Sequence, residues 1–188
     1  ITAYHEAGHA IVTHFQPDMD PVHRISIISR GMALGYTLVP PSRDRLHETK
    51  SQLLKRLATI MGGRAAEDLI FNEITTGAAN DFGQATRIAR AMVMEYGMSD
   101  LGPLNYGDNY DVTNYARGWT QQTISNETLS KIDVETKKIV EEGYRKAVAI
   151  LKLHRKELDA VAEALIAKES LDDEEFISLV RAQDQKLK

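Results

Sequence analysis

Near its start the chain reads Tyr4-His5-Glu6-Ala7-Gly8-His9-Ala10. On a helix of about 3.6 residues per turn, His5 and His9 stand one turn apart and about 40° from each other around the axis. Two imidazoles so placed grip one Zn²⁺ at the ~2.0–2.1 Å of Zn–N bonds. Glu6 is rotated about 100° from His5, so its carboxylate reaches a metal-bound water without becoming a ligand. That is the chemistry of the H-E-x-x-H pattern: two ligands, and a base beside the activated water. Such a short pattern also arises by chance, from two surface histidines and a helix-borne glutamate. The rest of the chain has to supply the support.

Hydrolytic zinc sites use three protein ligands and keep one position open for water. A metzincin would need glycine and histidine where this chain has Val12 and Phe15, and His14 is one residue out of register. That reading fails. Two acids remain open as the third ligand. Glu67, in Arg64-Ala65-Ala66-Glu67-Asp68, sits on a downstream helix as in gluzincins, and Asp81 follows Thr76-Gly77-Ala78-Ala79-Asn80. Asp81 also has an ordinary explanation, because the helix dipole favours an acid in the first turn. The chain has no cysteine, which removes thiolate zinc sites, disulfides and a cysteine nucleophile.

Hydrophobic periodicity tells which elements must position these groups. Residues 2–15 read as a helix with Ala7, Ala10, Ile11 and Phe15 on its apolar face, stopped by Gln16-Pro17-Asp18. Alternation over Arg24–Ser29 and Leu34–Val39, around a turn at Arg30-Gly31, predicts a hairpin closed by Pro40-Pro41. A helix from about Ser51 carries Leu53, Leu54, Leu57, Ile60 and Met61; Gly62-Gly63 then marks either a kink or a close approach, before Arg64–Phe71. Asn80 is the expected N-cap of a helix over Asp81–Tyr96 ended by Gly97, with Ala85, Ile88, Ala89, Met92, Val93 and Tyr96 as its buried stripe. After a loop-rich stretch at 98–124 come a long helix over about 126–153 and shorter ones near 155–168 and 172–182. The expected fold is mainly α with one small β-hairpin or sheet element. It forms one domain over 1–188, with the metal site and hairpin in about 1–97 and a helical part in about 98–188.

At 43% hydrophobic and 27% charged residues the composition is that of a globular domain able to bury a core. The net charge of −4 argues against a nucleic-acid partner, and the basic clusters Arg43/Arg45, Lys137-Lys138 and Arg155-Lys156 read as solvated faces. No apolar run reaches the ~18 residues of a membrane span, and no signal peptide opens the chain. The first residue is Ile1 rather than methionine, so an excised domain is expected, with any anchor or motor elsewhere in a parent protein.

The blocks "HEAGHA", "HRISIISRGMALGYT", "GGRAAEDLIF", "TTGAANDFGQAT" and "MVMEYGMSDLGPL" resemble, in order and spacing, the peptidase domain of FtsH-type AAA proteases. The resemblance covers roughly residues 1–180. It implies a zinc endopeptidase carrying one Zn²⁺ per chain, with His5, His9 and Asp81 as ligands and Glu6 as general base. Glu67 becomes a supporting carboxylate that steadies a ligand histidine. The implied partners are unfolded polypeptides and an AAA ATPase module of the same parent chain in a homo-hexamer. The implied location is the cell inner membrane, with the protease domain on the cytoplasmic side or its organellar equivalent. ATP enters only through the missing module, since no G-x-x-x-x-G-K-[ST] loop is present here. Departures from the family pattern are Ser29 in place of proline, a segment around Met98–Gly102 one residue short, and no Phe-Leu-Gly within 105–122. None touches the metal group.

The arm Leu34-Gly35-Tyr36-Thr37 is the expected edge for an extended substrate, or merely a cover for the core. The competing function is a non-hydrolytic zinc-binding helical assembly module. A serine hydrolase reading is weak, because Gly97-Met98-Ser99-Asp100-Leu101-Gly102 has one residue too many for G-x-S-x-G and follows no suitable strand.

Overall fold

The computed structural model describes residues 1–28, 35–41, 47–73, 75–106 and 124–185. The expected turn at Arg30-Gly31, Ser29, Leu34, the Arg43/Arg45 pair and most of the 105–122 tract lie outside the described residues.

The chain is mainly α. Its elements run α1 (Thr2–His14), β1 (Arg24–Ser26), β2 (Tyr36–Leu38), α2 (Lys50–Ile60), α3 (Gly62–Phe71), a 3-10 turn (Thr76–Ala78), α4 (Ala79–Met94), α5 (Asn126–Leu153), α6 (Arg155–Lys168), β3 (Ser170–Asp172) and α7 (Asp173–Gln185). One apolar core, including Ile11, Ile25, Leu57, Met92, Leu151, Leu158 and Phe176, joins them. Each such side chain contributes about 1.5–3 kcal/mol on burial.

The first helix is buried beyond its apolar face: Ala3, Glu6, Gly8 and Thr13 are also enclosed. It lies between α3, α6 and the sheet, which leaves little of its surface to water. β1 and β2 form the expected antiparallel pair, with Ile25 opposite Thr37. β3 pairs on the other side of β1, giving the order β2-β1-β3. This third strand is three residues between two helices with Leu171 as its only apolar side chain, too short for alternation to reveal. It leaves β2 as an edge.

The glycine pair does both things the sequence left open. The chain breaks at Met61, between α2 and α3, and α3 then meets α1 backbone to backbone. A Cβ on Gly62 would lie 2.7 Å from the Gly8 carbonyl oxygen, and one on Gly8 2.7 Å from Ala66 Cβ. Only hydrogen fits at that crossing.

The start of α4 corrects the expected N-cap. The helix begins at Ala79, and Asn80 is an exposed residue of its first turn. Ala78 stands at the N-cap with no side-chain hydrogen bond; Thr75 caps the preceding 3-10 turn, its Oγ1 accepting from Gly77 N–H at 3.2 Å, and that turn leads straight into the helix. The helix ends at Met94, before Gly97, which lies at φ +60°. Tyr96 is therefore past the helix and exposed, not part of the buried stripe, while Ala85, Ala89, Met92 and Val93 are buried.

Candidate metal centre

Two elements bring the candidate ligand atoms together. His5 and His9 project from α1, and Asp81 from the first turn of α4. His5 Nε2 and His9 Nε2 are 3.1 Å apart, and Asp81 Oδ2 lies 3.1 Å from the first and 3.3 Å from the second. Room for both rings comes from Gly63, where a Cβ would sit 2.5 Å from His5 Nε2 and 2.6 Å from His9 Nε2.

The other ring nitrogens fix the tautomers. His5 Nδ1 donates to Glu67 Oε1 at 2.7 Å, and His9 Nδ1 donates to the Thr59 carbonyl oxygen at 2.8 Å. Both partners are pure acceptors, so in neutral imidazoles the protons are on Nδ1 and both Nε2 present lone pairs. Asp81 Oδ2 is buried and has no hydrogen-bond partner. With both imidazoles neutral, three acceptor atoms thus converge, which is unfavourable unless a proton or a metal cation joins them. Tetrahedral zinc with bonds of ~2.0–2.1 Å spaces its ligand atoms about 3.3–3.4 Å apart. The observed triangle of 3.1–3.3 Å fits that spacing.

Glu67 is 1% exposed and turns away from the triangle. Its Oε1 accepts from His5, and its Oε2 accepts from Thr75 Oγ1 at 2.9 Å and Thr75 N–H at 3.3 Å. One buried carboxylate therefore ties the histidine helix to the turn that delivers Asp81. Between the two acids left open by spacing alone, Asp81 faces the Nε2 atoms and Glu67 the outer nitrogen.

Glu6 is buried beside the triangle, and its Oε2 accepts from Thr37 Oγ1 at 2.8 Å. Burial raises its pKa above the ordinary glutamate value, against the pull of His9, the Thr37 hydrogen bond and His5. A carboxyl so poised is a better proton acceptor near neutral pH. Burial acts on Asp81 in the raising direction too. There, hydrogen bonds from His5 and His9, when these rings carry protons, outweigh it and hold the carboxyl well below the usual range.

A family model settles what such a centre belongs to: that of peptidase family M41 matches residues 1–179. The chain belongs to peptidase family M41. It is 48% identical, over 96% of its length, to ATP-dependent zinc metalloprotease FtsH 3 of Symbiobacterium thermophilum. It is likewise 48% identical over 97% of its length to ATP-dependent zinc metalloprotease FtsH of Pseudothermotoga lettingae, and 45% identical over its full length to the FtsH of Thermotoga maritima. It spans 29%, 30% and 31% of those relatives.

Within this M41 chain, spacing alone did not find the Thr59 carbonyl, Thr75, Thr37 or the role of Gly63. Thr59 had a faint signal, since the last carbonyls of a helix are left free and α2 ends one residue later. Gly63 had one too, as half of a costly glycine pair. Thr37 and Thr75 look like any strand or turn threonine until the fold brings them to Glu6 and Glu67.

Proposed function

We propose that this chain is a zinc-dependent endopeptidase unit in which His5, His9 and Asp81 hold the metal and Glu6 is the general base. The observation that carries the reading is the convergence of His5 Nε2, His9 Nε2 and Asp81 Oδ2 within 3.3 Å of one another, Asp81 Oδ2 being buried without any other partner, beside a buried glutamate. Bound there, zinc would supply Lewis-acid polarisation of a peptide carbonyl and lower the pKa of its water to ~7. Glu6 takes a proton from the attacking water and passes it to the departing amine. Glu67 and the Thr59 carbonyl hold the two imidazoles in the tautomer that leaves Nε2 free. The outer edge of β2, unpaired among the described residues and with Leu38 about half exposed, offers an extended polypeptide a place to add as a strand.

The relatives' printed names, ATP-dependent zinc metalloproteases, support a wider setting. In that setting residues 1–188 act as one peptidase domain joined to an AAA ATPase module in a homo-hexamer. The module delivers unfolded polypeptides, and the parent protein anchors at a cell inner membrane with this domain on the cytoplasmic side or its organellar equivalent. Among the described residues no helix is long and apolar enough to cross a membrane. The alternative of a non-hydrolytic zinc-binding assembly module gives no task to a buried Glu6 held beside the ligands.

The test is cleavage of a fluorescently labelled unfolded protein, before and after the metal is removed by chelation and one equivalent of zinc restored. The reading predicts loss and full recovery of cleavage. Cleavage that persists in the metal-free protein would overturn it.

A further inference from the structure

The strand beside α1 does more than offer an edge. Gly35 and Thr37 are two residues apart and so share one face of the extended chain, and both meet Glu6. Thr37 Oγ1 has a single proton and lies 2.8 Å from Glu6 Oε2 and 3.1 Å from the Glu6 backbone oxygen. The carboxylate is the closer and the charged acceptor. Charge-assisted hydrogen bonds of this kind are about twice as strong as neutral ones. On the opposite side, a Cβ at Gly35 would come within 2.8 Å of Glu6 Oε1 and 2.9 Å of its Cγ. The strand backbone therefore runs hard against the carboxylate, and the hydroxyl pins one of its oxygens. Among the described residues, Thr37 is the one side chain that donates to Glu6.

We propose that Thr37 is the positioning residue for the catalytic carboxylate, fixing Oε2 so that Oε1 receives the proton of the attacking water. The O–H bond of water breaks as Oε1–H forms, the freed electron pair of the water oxygen bonds to the peptide carbonyl carbon, and the C=O π pair moves onto the carbonyl oxygen. Because Thr37 lies on the edge strand, the segment that holds the base is the segment against which an extended peptide would lie. The inference rests on Glu6 being the base. It adds that the base is held from the substrate-side strand and not by its own helix.

The experiment compares wild type, Thr37→Val and Thr37→Ser in the full-length zinc-loaded protein, measuring kcat and KM on the labelled unfolded protein, bound zinc per chain, and the crystal structure of each. Valine keeps the shape and removes the hydroxyl; serine keeps the hydroxyl. Misplacing a reacting group by ~1 Å costs on the order of 10²-fold. Thr37→Val is therefore expected to lower kcat about 10- to 100-fold with KM within about threefold, to retain its zinc, and to show the Glu6 carboxylate displaced. Thr37→Ser is expected to keep kcat within about threefold of wild type. The proposal is overturned if Thr37→Val keeps its kcat, if its Glu6 carboxylate stays in place, or if Thr37→Ser is as slow as Thr37→Val. A wild type that binds zinc without cleaving, together with a displaced carboxylate in Thr37→Val, would reject the peptidase reading and leave the positioning role supported.

Discussion

Helices meet in two different ways in this molecule. Around the histidines, α1 and α3 cross with backbones touching at Gly8 and Gly62, and the space at Gly63 is filled by imidazole rings. In the C-terminal stretch, α6 packs on α7 and α5 packs on α2, α3 and α4, burying Ile132, Ile139, Leu158, Val161, Leu165, Phe176 and Val180, and their outer faces carry exposed pairs such as Glu127–Lys131 and Arg155–Asp159. Branched side chains fill volume and tolerate exchange among themselves, usually for less than about 1.5 kcal/mol. A backbone crossing fixes distance and tolerates nothing larger than hydrogen. The first kind of packing places atoms to tenths of an ångström, as a metal requires; the second supplies stability.

That contrast breaks most sharply at Gly63. Gly63→Ala puts a methyl group where His5 Nε2 and His9 Nε2 now lie. Changing a group outside a ligand shell costs about 10- to 100-fold in metal affinity, and this one displaces the two Nε2 atoms proposed as ligands, so a loss of more than about 100-fold is expected by zinc titration. Zinc affinity within about threefold of wild type would show that the glycine serves the helix break alone. A step smaller is Glu67→Gln, which keeps an acceptor for His5 but removes the charge that ties it to Thr75. About a 10-fold or greater loss of zinc affinity is expected, with the helical circular dichroism unchanged.

The smallest effect joins the two regions. Tyr144 of α5 donates to Asp68 of α3 at 2.6 Å, and burial first, then that hydrogen bond, pushes its pKa up to about 12. In the unfolded chain the phenol titrates at ~10. The folded state thus favours the protonated form; this stabilisation is fully present below pH ~10 and is lost as the pH rises through the folded value. Melting curves of Tyr144→Phe should fall less steeply with pH over that range than those of wild type. Equal slopes would mean that the tie across the two regions contributes nothing.

Much of this was legible in the chain, and the gaps have physical reasons. Helices over 126–153 and 155–168 showed themselves because amphipathic period survives any tertiary arrangement. His5, Glu6 and His9 were readable because their spacing is local to one helix. The choice between Glu67 and Asp81 was not local, since the two acids lie on different downstream helices, α3 and α4, and which one faces Nε2 depends on how both are placed against α1. Spacing left both open; the resemblance implied Asp81, and the structure places its Oδ2 beside the two Nε2 atoms. The Asn80 cap misled because a good capping residue stands second in a helix that continues directly from the 3-10 turn capped by Thr75. β3 escaped because a three-residue strand is defined by its partner, Ile25 opposite Leu171, and not by its own pattern.

Most directly, the pairing of metal and base is tested by Glu6→Gln in the zinc-loaded protein, read as cleavage of the labelled unfolded protein beside bound zinc per chain. General base catalysis contributes on the order of 10²–10⁴-fold, so cleavage should fall by at least about 10²-fold while zinc remains near one per chain. Cleavage near the wild-type rate with zinc bound would contradict the assignment of Glu6.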